Sequence, residues 1–211
     1  MRLSKQRIAE NHRQIVEAAA RLFQQHGFDG VGVAELMRDA GFTHGGFYNH
    51  FESKEALAAE ACAHVFTRVN STLSDRLSSR SASAWQSCAA EFLSPDRVNS
   101  PSDAATLATL AADASRQGAK VQSAFAAGID ATLNAIAQYL SSRGTSSSRS
   151  NRRSARAQAA QRLSELVGAC VLARAVSRAR PELSNEILAA NNQGRKAPRT
   201  RSRRVSGRLR P

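Results

Sequence analysis

An all-α fold follows from three features of this chain of 211 residues. Alanine is abundant, runs of β-branched residues are rare, and apolar residues recur at three- and four-residue spacing almost throughout. That spacing is the period of one helix face, whereas a half-buried strand would alternate. The length allows one large domain, or a small one beside a larger one, with enough chain to bury a core.

The first helix is expected over residues 5–26, where Ile15, Ala19, Leu22 and Phe23 form one stripe and Gly27 supplies the C-terminal cap. A short helix follows in "VAELMRDA", with Val33, Leu36, Met37 and Ala40 on one face and Gly41 ending it. After Phe42, Thr43 is placed as the N-cap of a third helix that reaches only to His50. Ser53 then caps a long helix, with Lys54 and Glu55 in its first turn and Leu57, Ala61, Val65, Phe66, Val69 and Leu73 along its inner side. Ser-rich residues 78–84 read as a connection, residues 85–93 as a helix stopped by Pro95, and "PDRVNSPS" as a loop. Helices over 104–116 and 121–140 come next, the second with Val121, Phe125, Leu133, Ile136 and Leu140 on one side. After a Ser/Arg-rich interruption at 141–156, residues 155–175 read as a helix burying Leu163, Leu166, Val167, Cys170 and Val171, and a last helix covers 183–191.

The formal net charge of +13 is unevenly placed. Residues 1–54 carry +1, residues 55–140 carry −2 and residues 141–211 carry +14. The excess lies in "SSRGTSSSRSNRRSARAQ" and "GRKAPRTRSRRVSGRLRP", both poor in large apolar residues, and such segments are usually solvated and disordered. The tail 192–211 has two readings that stand side by side: an inert solvated end, or extra nonspecific affinity for DNA through counterion release. A salt titration with and without residues 192–211 separates them. No apolar run is long enough to span a bilayer and no secretory h-region is present, so a cytoplasmic protein without a membrane partner is expected. Cys62, Cys88 and Cys170 are too few and too scattered for a disulfide framework or a metal site, and no cofactor is implied.

Residues 40–57, "AGFTHGGFYNHFESKEAL", carry the chemistry. Two short helices joined by "AGF" match a helix-turn-helix, whose second helix enters the major groove N-terminus first. On a wheel of about 100° per residue, Phe47 and Phe51 face the core and Gly45 and Asn49 point away, with Gly46 and His50 on one edge and Tyr48 on the other. Each glycine lowers helix stability by roughly 1 kcal/mol. A bare position 45 lets backbone N–H groups approach phosphate oxygens. Thr43, His44, Tyr48 and Lys54 are then candidates for phosphate contacts, and Asn49 and His50 for base edges. Val33, which opens the preceding helix, is counted on the same DNA-facing side. His44 and His50, six residues apart, diverge too far on a helix to share a metal ion.

These residues resemble a known family. "IVEAAARLFQQHGFDGVGVAELMRDAGFTHGGFYNHFESKEAL" is similar to the N-terminal DNA-binding domain of the TetR/AcrR regulators, and "LSELVGACVLARAV" with "ELSNEILAA" resembles the C-terminal helices of one branch. Gly32 stands where the family often has Thr or Ser, Ala34 where Arg is frequent, and "SPSDAATL" where that branch commonly has Gly-Cys-Pro. The resemblance implies a TetR-like architecture: a helix-turn-helix domain over residues 1–52, a helical ligand-binding and dimerisation domain over 53–191, and the basic tail beyond. It implies a homodimer that binds double-stranded operator DNA and an apolar or electrophilic small-molecule effector, most simply a repressor released by that effector. Phe66, Trp85, Cys88, Phe92 and Phe125 are the candidate ligand-binding residues, Cys88 also as a sensor. An activator, or a factor without a ligand, is equally compatible with the motif. The rival class, an enzyme pairing Cys62 or Cys88 with His64, lacks an oxyanion loop, a nucleophile elbow and a metal cluster.

Overall fold

Gly27 and Gly41 have φ of +75° and +82°, the left-handed region that only glycine enters freely, and they mark where the first two helices stop. The computed structural model describes residues 5–79, 81–99, 106–143 and 149–193. Those residues form α1 (Lys5–His26), α2 (Val33–Asp39), a 3₁₀ helix (His44–Asn49), α3 (Lys54–Ser78), α4 (Ala84–Phe92), α5 (Pro95–Asn99), α6 (Thr106–Ala114), α7 (Ala119–Ser141), α8 (Arg149–Val176) and α9 (Pro181–Gln193). No strand occurs among the described residues. The basic stretch 194–211 lies outside them, and with it most of the tail expected to be disordered.

The larger helical unit differs from expectation in three respects. The segment read as a loop holds α5: Pro95 opens it, where a missing N–H costs nothing, and Val98 is fully buried beneath it. The last long helix begins at Arg149 rather than 155, so the Ser/Arg-rich interruption is helical in its second half. Ala155 and Ala159 anchor this extension in the core, and Arg156 bonds to Asp130 and Asn134 of α7. Val171, expected in the core, is 42% exposed and its neighbour Leu172 is 59% exposed. Periodicity finds an apolar row but not the surface it meets.

α3 is the spine. Ser53 caps it, its Oγ accepting the Ala56 N–H at 3.1 Å. Leu57, Ala58, Ala61, Cys62 and Val65 join one continuous cluster with Ile15, Phe23, Leu36, Met37 and Phe47 of the N-terminal elements and with Leu110, Val121 and Phe125 of α6 and α7. A second cluster gathers Leu77, Trp85, Val98, Ile136, Leu166, Cys170 and Leu188 at the other end. The most extensive helix pair is α3 with α7. A Cβ built on Gly128 of α7 would lie 2.1 Å from Phe66 Cγ, so the helices approach this closely only because residue 128 has no side chain. Beside that contact Asn70 Nδ2 donates to the Gly128 carbonyl at 3.2 Å, and the Thr132 hydroxyl lies 2.7 Å from Asn70 Oδ1. G128A is expected to overpack this seam, lowering stability by about 1–3 kcal/mol and the thermal midpoint by several degrees, as read from circular dichroism. An unchanged midpoint would show that the ring of Phe66 can move aside freely.

Candidate nucleic-acid interface and core cavity

Residues 44–49 form a 3₁₀ helix, not the α-helix expected. Two consecutive glycines weaken the α form, and the main chain instead closes i→i+3 bonds: Gly46 N–H to Thr43 O at 3.0 Å and His50 N–H to Phe47 O at 2.9 Å. Thr43 occupies the N-cap position with extended backbone, but its side chain makes no capping hydrogen bond. With three residues per turn, Gly45 aligns with Tyr48, Gly46 with Asn49, and His44 with Phe47 and His50.

Phe47 and Phe51 are buried as expected, and they carry the rest of the segment on their backs. Thr43, His44, Gly45, Tyr48 and Asn49 come together on an exposed surface, with the Tyr48 ring 72% exposed. A Cβ at Gly45 would meet nothing within 4 Å, so nothing within the fold requires a glycine there. Gly46 is turned inward, its built Cβ 3.7 Å from Met37 Cε. Val33 is half-buried against the head core, and Lys54 is half-buried in the first turn of α3. His50 also turns inward. Its ring lies 6.1 Å from His12 and 6.4 Å from Phe42, so it does not join Asn49 on the exposed side as a candidate for base edges. Burial, and then the neighbouring His12, lower its pKa from the usual value. His12 stacks on Phe51 at 4.4 Å and sits 2.6 Å from Glu60 Oε2.

A cavity of about 290 Å³ opens in the larger unit. Trp85, Cys88 and Phe92 line it, together with Leu107, Ile136 and Leu166. Phe66 and Phe125, expected there, do not: they meet edge-on at 5.2 Å within the core cluster shared with the head, against Gly128. The cavity also holds Arg68, Arg76, Glu91 and Arg97, none of which was singled out from sequence. A signal existed for two of them, since Arg68, Thr72 and Arg76 recur every fourth residue beside the apolar stripe of α3. Arg97 lay hidden in the supposed loop.

Burial disfavours the thiolate form of all three cysteines. Burial pushes the Cys62 thiol up to about 12 and raises Cys170 as well, the nearby Arg174 opposing the latter. At Cys88 burial again raises the pKa and the adjacent Arg76 pulls the other way. Cys62 and His64 stand two residues apart on α3 and so face different sides. His64 Nε2 is buried with no hydrogen-bond partner among the described residues. Among those residues no group of three or more His, Cys, Asp or Glu side chains could hold a metal, and no helix is long and apolar enough to cross a membrane.

The turn between α6 and α7 grips the head from above. Gln117 Nε2 donates to the Asp29 carboxylate at 3.3 Å, Glu55 Oε1 accepts the Lys120 N–H at 3.1 Å, and Lys120 Nζ lies 3.0 Å from Glu52 Oε2. These pairs span more than 60 residues of sequence, and no local pattern announces them.

Fold and surface together define a helix-turn-helix protein: a small head presenting a short helix, carried on a larger helical unit with its own cavity. Residues 15–61 match the family described as bacterial regulatory proteins, tetR family. Over that N-terminal segment the chain is similar to TetR-family regulators. Among curated relatives it is 42% identical over 52 residues to the A-factor receptor protein of Streptomyces griseus, covering 25% of this chain and 19% of that one. It is 37% identical over 59 residues to the regulator AcrR of Shigella flexneri, 28% of this chain and 27% of that one. The alignments span no more than 36% of any of these curated relatives. Over nearly the whole length the fold is that of reduced E. coli NemR, at a TM-score of 0.68 and 21% identity, covering 87% of this chain and 96% of NemR. A TetR-family regulator from Cytophaga hutchinsonii gives the same TM-score at 18% identity, covering 92% and 96%.

Because the folded-state pKa of His50 is depressed, the unfolded chain takes up this proton first as pH falls. The stability that the neutral ring contributes is therefore present above the ordinary histidine value and lost below it. H50Q is expected to show a smaller loss of thermal midpoint than the parent between about pH 7.5 and 5.5, the window that brackets the ordinary value. Equal losses would refute the packing assigned to His50.

Proposed function

We propose that this protein is a homodimeric DNA-binding transcriptional regulator, most simply a repressor, that leaves a palindromic operator when a small molecule fills the core cavity. The observation that carries the reading is Gly45. Its built Cβ meets nothing within 4 Å, and glycine there lowers helix stability by about 1 kcal/mol, a cost that a surface packing closely from outside the molecule would offset. A DNA backbone fits: Gly45 brings the main chain close, while Thr43, His44 and Tyr48 offer donors to phosphates and Asn49 an amide to a base edge.

Two such heads must be held about 34–36 Å apart to meet successive major grooves. The exposed Val171 and Leu172 of α8, next to α9, supply an apolar surface on which a second copy can pair. The cavity is connected to the head by rigid parts. Leu107 of α6 and Ile136 of α7 line it, and the turn joining those helices holds Asp29, Glu52 and Glu55 through Gln117 and Lys120. A ligand that shifts α6 or α7 therefore shifts the head. A tenfold loss of operator affinity needs only about 1.4 kcal/mol of differential binding.

The test is capture of genomic DNA by the purified protein, footprinting of the best site, and titration of variants on it. G45A should keep or raise thermal stability yet weaken operator binding. Y48A should weaken binding alike on operator and random duplex, and N49A should cost about 1–3 kcal/mol at particular base pairs only. If G45A and Y48A bind like the parent, the exposed face is not the DNA-binding surface.

A further inference from the structure

The charged side chains of the cavity's described lining come from α3, α4 and α5. Arg68, Thr72 and Arg76 lie on α3, Glu91 on α4 and Arg97 on α5, whereas α6, α7 and α8 contribute mainly apolar side chains such as Leu107, Ile136 and Leu166. Glu91 is shared, forming ion pairs with both Arg76 and Arg97. Each guanidinium brings five N–H donors and a full positive charge, so one carboxylate between two of them leaves the cluster positive and richer in donors than in acceptors. All three of Arg76, Glu91 and Arg97 are part-exposed at this edge, so an incoming anion need not displace a buried pair. The apolar side begins at Trp85 and Phe92 and continues to Leu166.

We infer that the ligand of this cavity is an amphipathic carboxylate, its anionic head on Arg76 and Arg97 and its apolar body against Trp85, Ile136 and Leu166. The inference rests on the reading of the cavity as the effector site. A cationic amphiphile would meet the guanidiniums of Arg76 and Arg97, which share the Glu91 carboxylate, and a neutral one would leave donors of that cluster facing an apolar group. At about 290 Å³ the cavity stands at the lower end of small-molecule pockets, which run from roughly 300 Å³ upward, so the body is a medium-length chain or one or two rings.

Trp85 is the only tryptophan of the chain and lines the cavity, so its emission reports occupancy directly. Full-length protein is titrated with decanoate, decanol and decyltrimethylammonium, each below its micelle concentration. Decanoate should change Trp85 emission saturably and bind at least about tenfold more tightly than decanol, with no response to the ammonium. R97Q should lose that preference, R97K should keep most of it, and R13Q, which removes a charge outside the cavity, should match the parent. Equal binding of decanoate and decanol, a preference for the ammonium, or an undiminished preference in R97Q overturns the carboxylate assignment while leaving the cavity as a ligand site. Silence of Trp85 toward all three overturns the ligand site itself and this inference with it.

Discussion

The close approach of α3 to α7 is the constraint on which the rest of the molecule depends. Phe66 packs where Gly128 lacks a side chain, and Asn70 and Thr132 complete a polar knot beside it. Protein interiors are dense and transmit strain, and at this seam no space separates the two helices. Because the first half of α3 shares one apolar cluster with α1, α2 and the 3₁₀ helix, whatever repositions α3 repositions the head. The cavity lies along the second half of the same helix. One helix thus belongs to both ends of the molecule, which is the physical requirement for linking two sites by a two-state element.

The head works by leaving things out. Its aromatic rings, Phe47 and Phe51, anchor a short helix on the core, and the outward surface they support is mostly bare backbone and short side chains. Burial of two phenylalanines, at roughly 1.5–3 kcal/mol each, readily offsets what two glycines cost a helix of this length. The tight 3₁₀ winding has a consequence for chemistry. It turns His50 from the edge of the helix into the cluster with His12, Phe42 and Phe51. His50 is therefore a seat for the helix, while Gly45, Tyr48 and Asn49 stay on its exposed side.

The cavity combines two chemistries that sequence reading kept apart. Its aromatic members were visible as sparse large residues among alanines, but Phe66 and Phe125 belong to packing, and the arginines that set the cavity's polarity were dispersed over α3 and a segment too Pro-rich to look helical. Glu91 binds two of them together only after α4 and α5 fold against each other. Such half-exposed ion pairs contribute little stability; what they contribute here is a fixed place for charge.

Sequence alone determined the helical class, the ends of α1 and α2, the cap of α3 and the turn motif between them, because each rests on interactions within a few residues: Gly27, Gly41 and Ser53 act on their own turns. It also determined that Phe47 and Phe51 point inward. Tertiary structure decided the rest. Whether Val171 meets the core or stays exposed, whether Phe125 lines the cavity or packs in the core, and which carboxylates receive Gln117 and Lys120 depend on surfaces brought together from far along the chain, more than 60 residues for Lys120. A periodic pattern specifies that a row of side chains will be covered; only the folded neighbours specify by what.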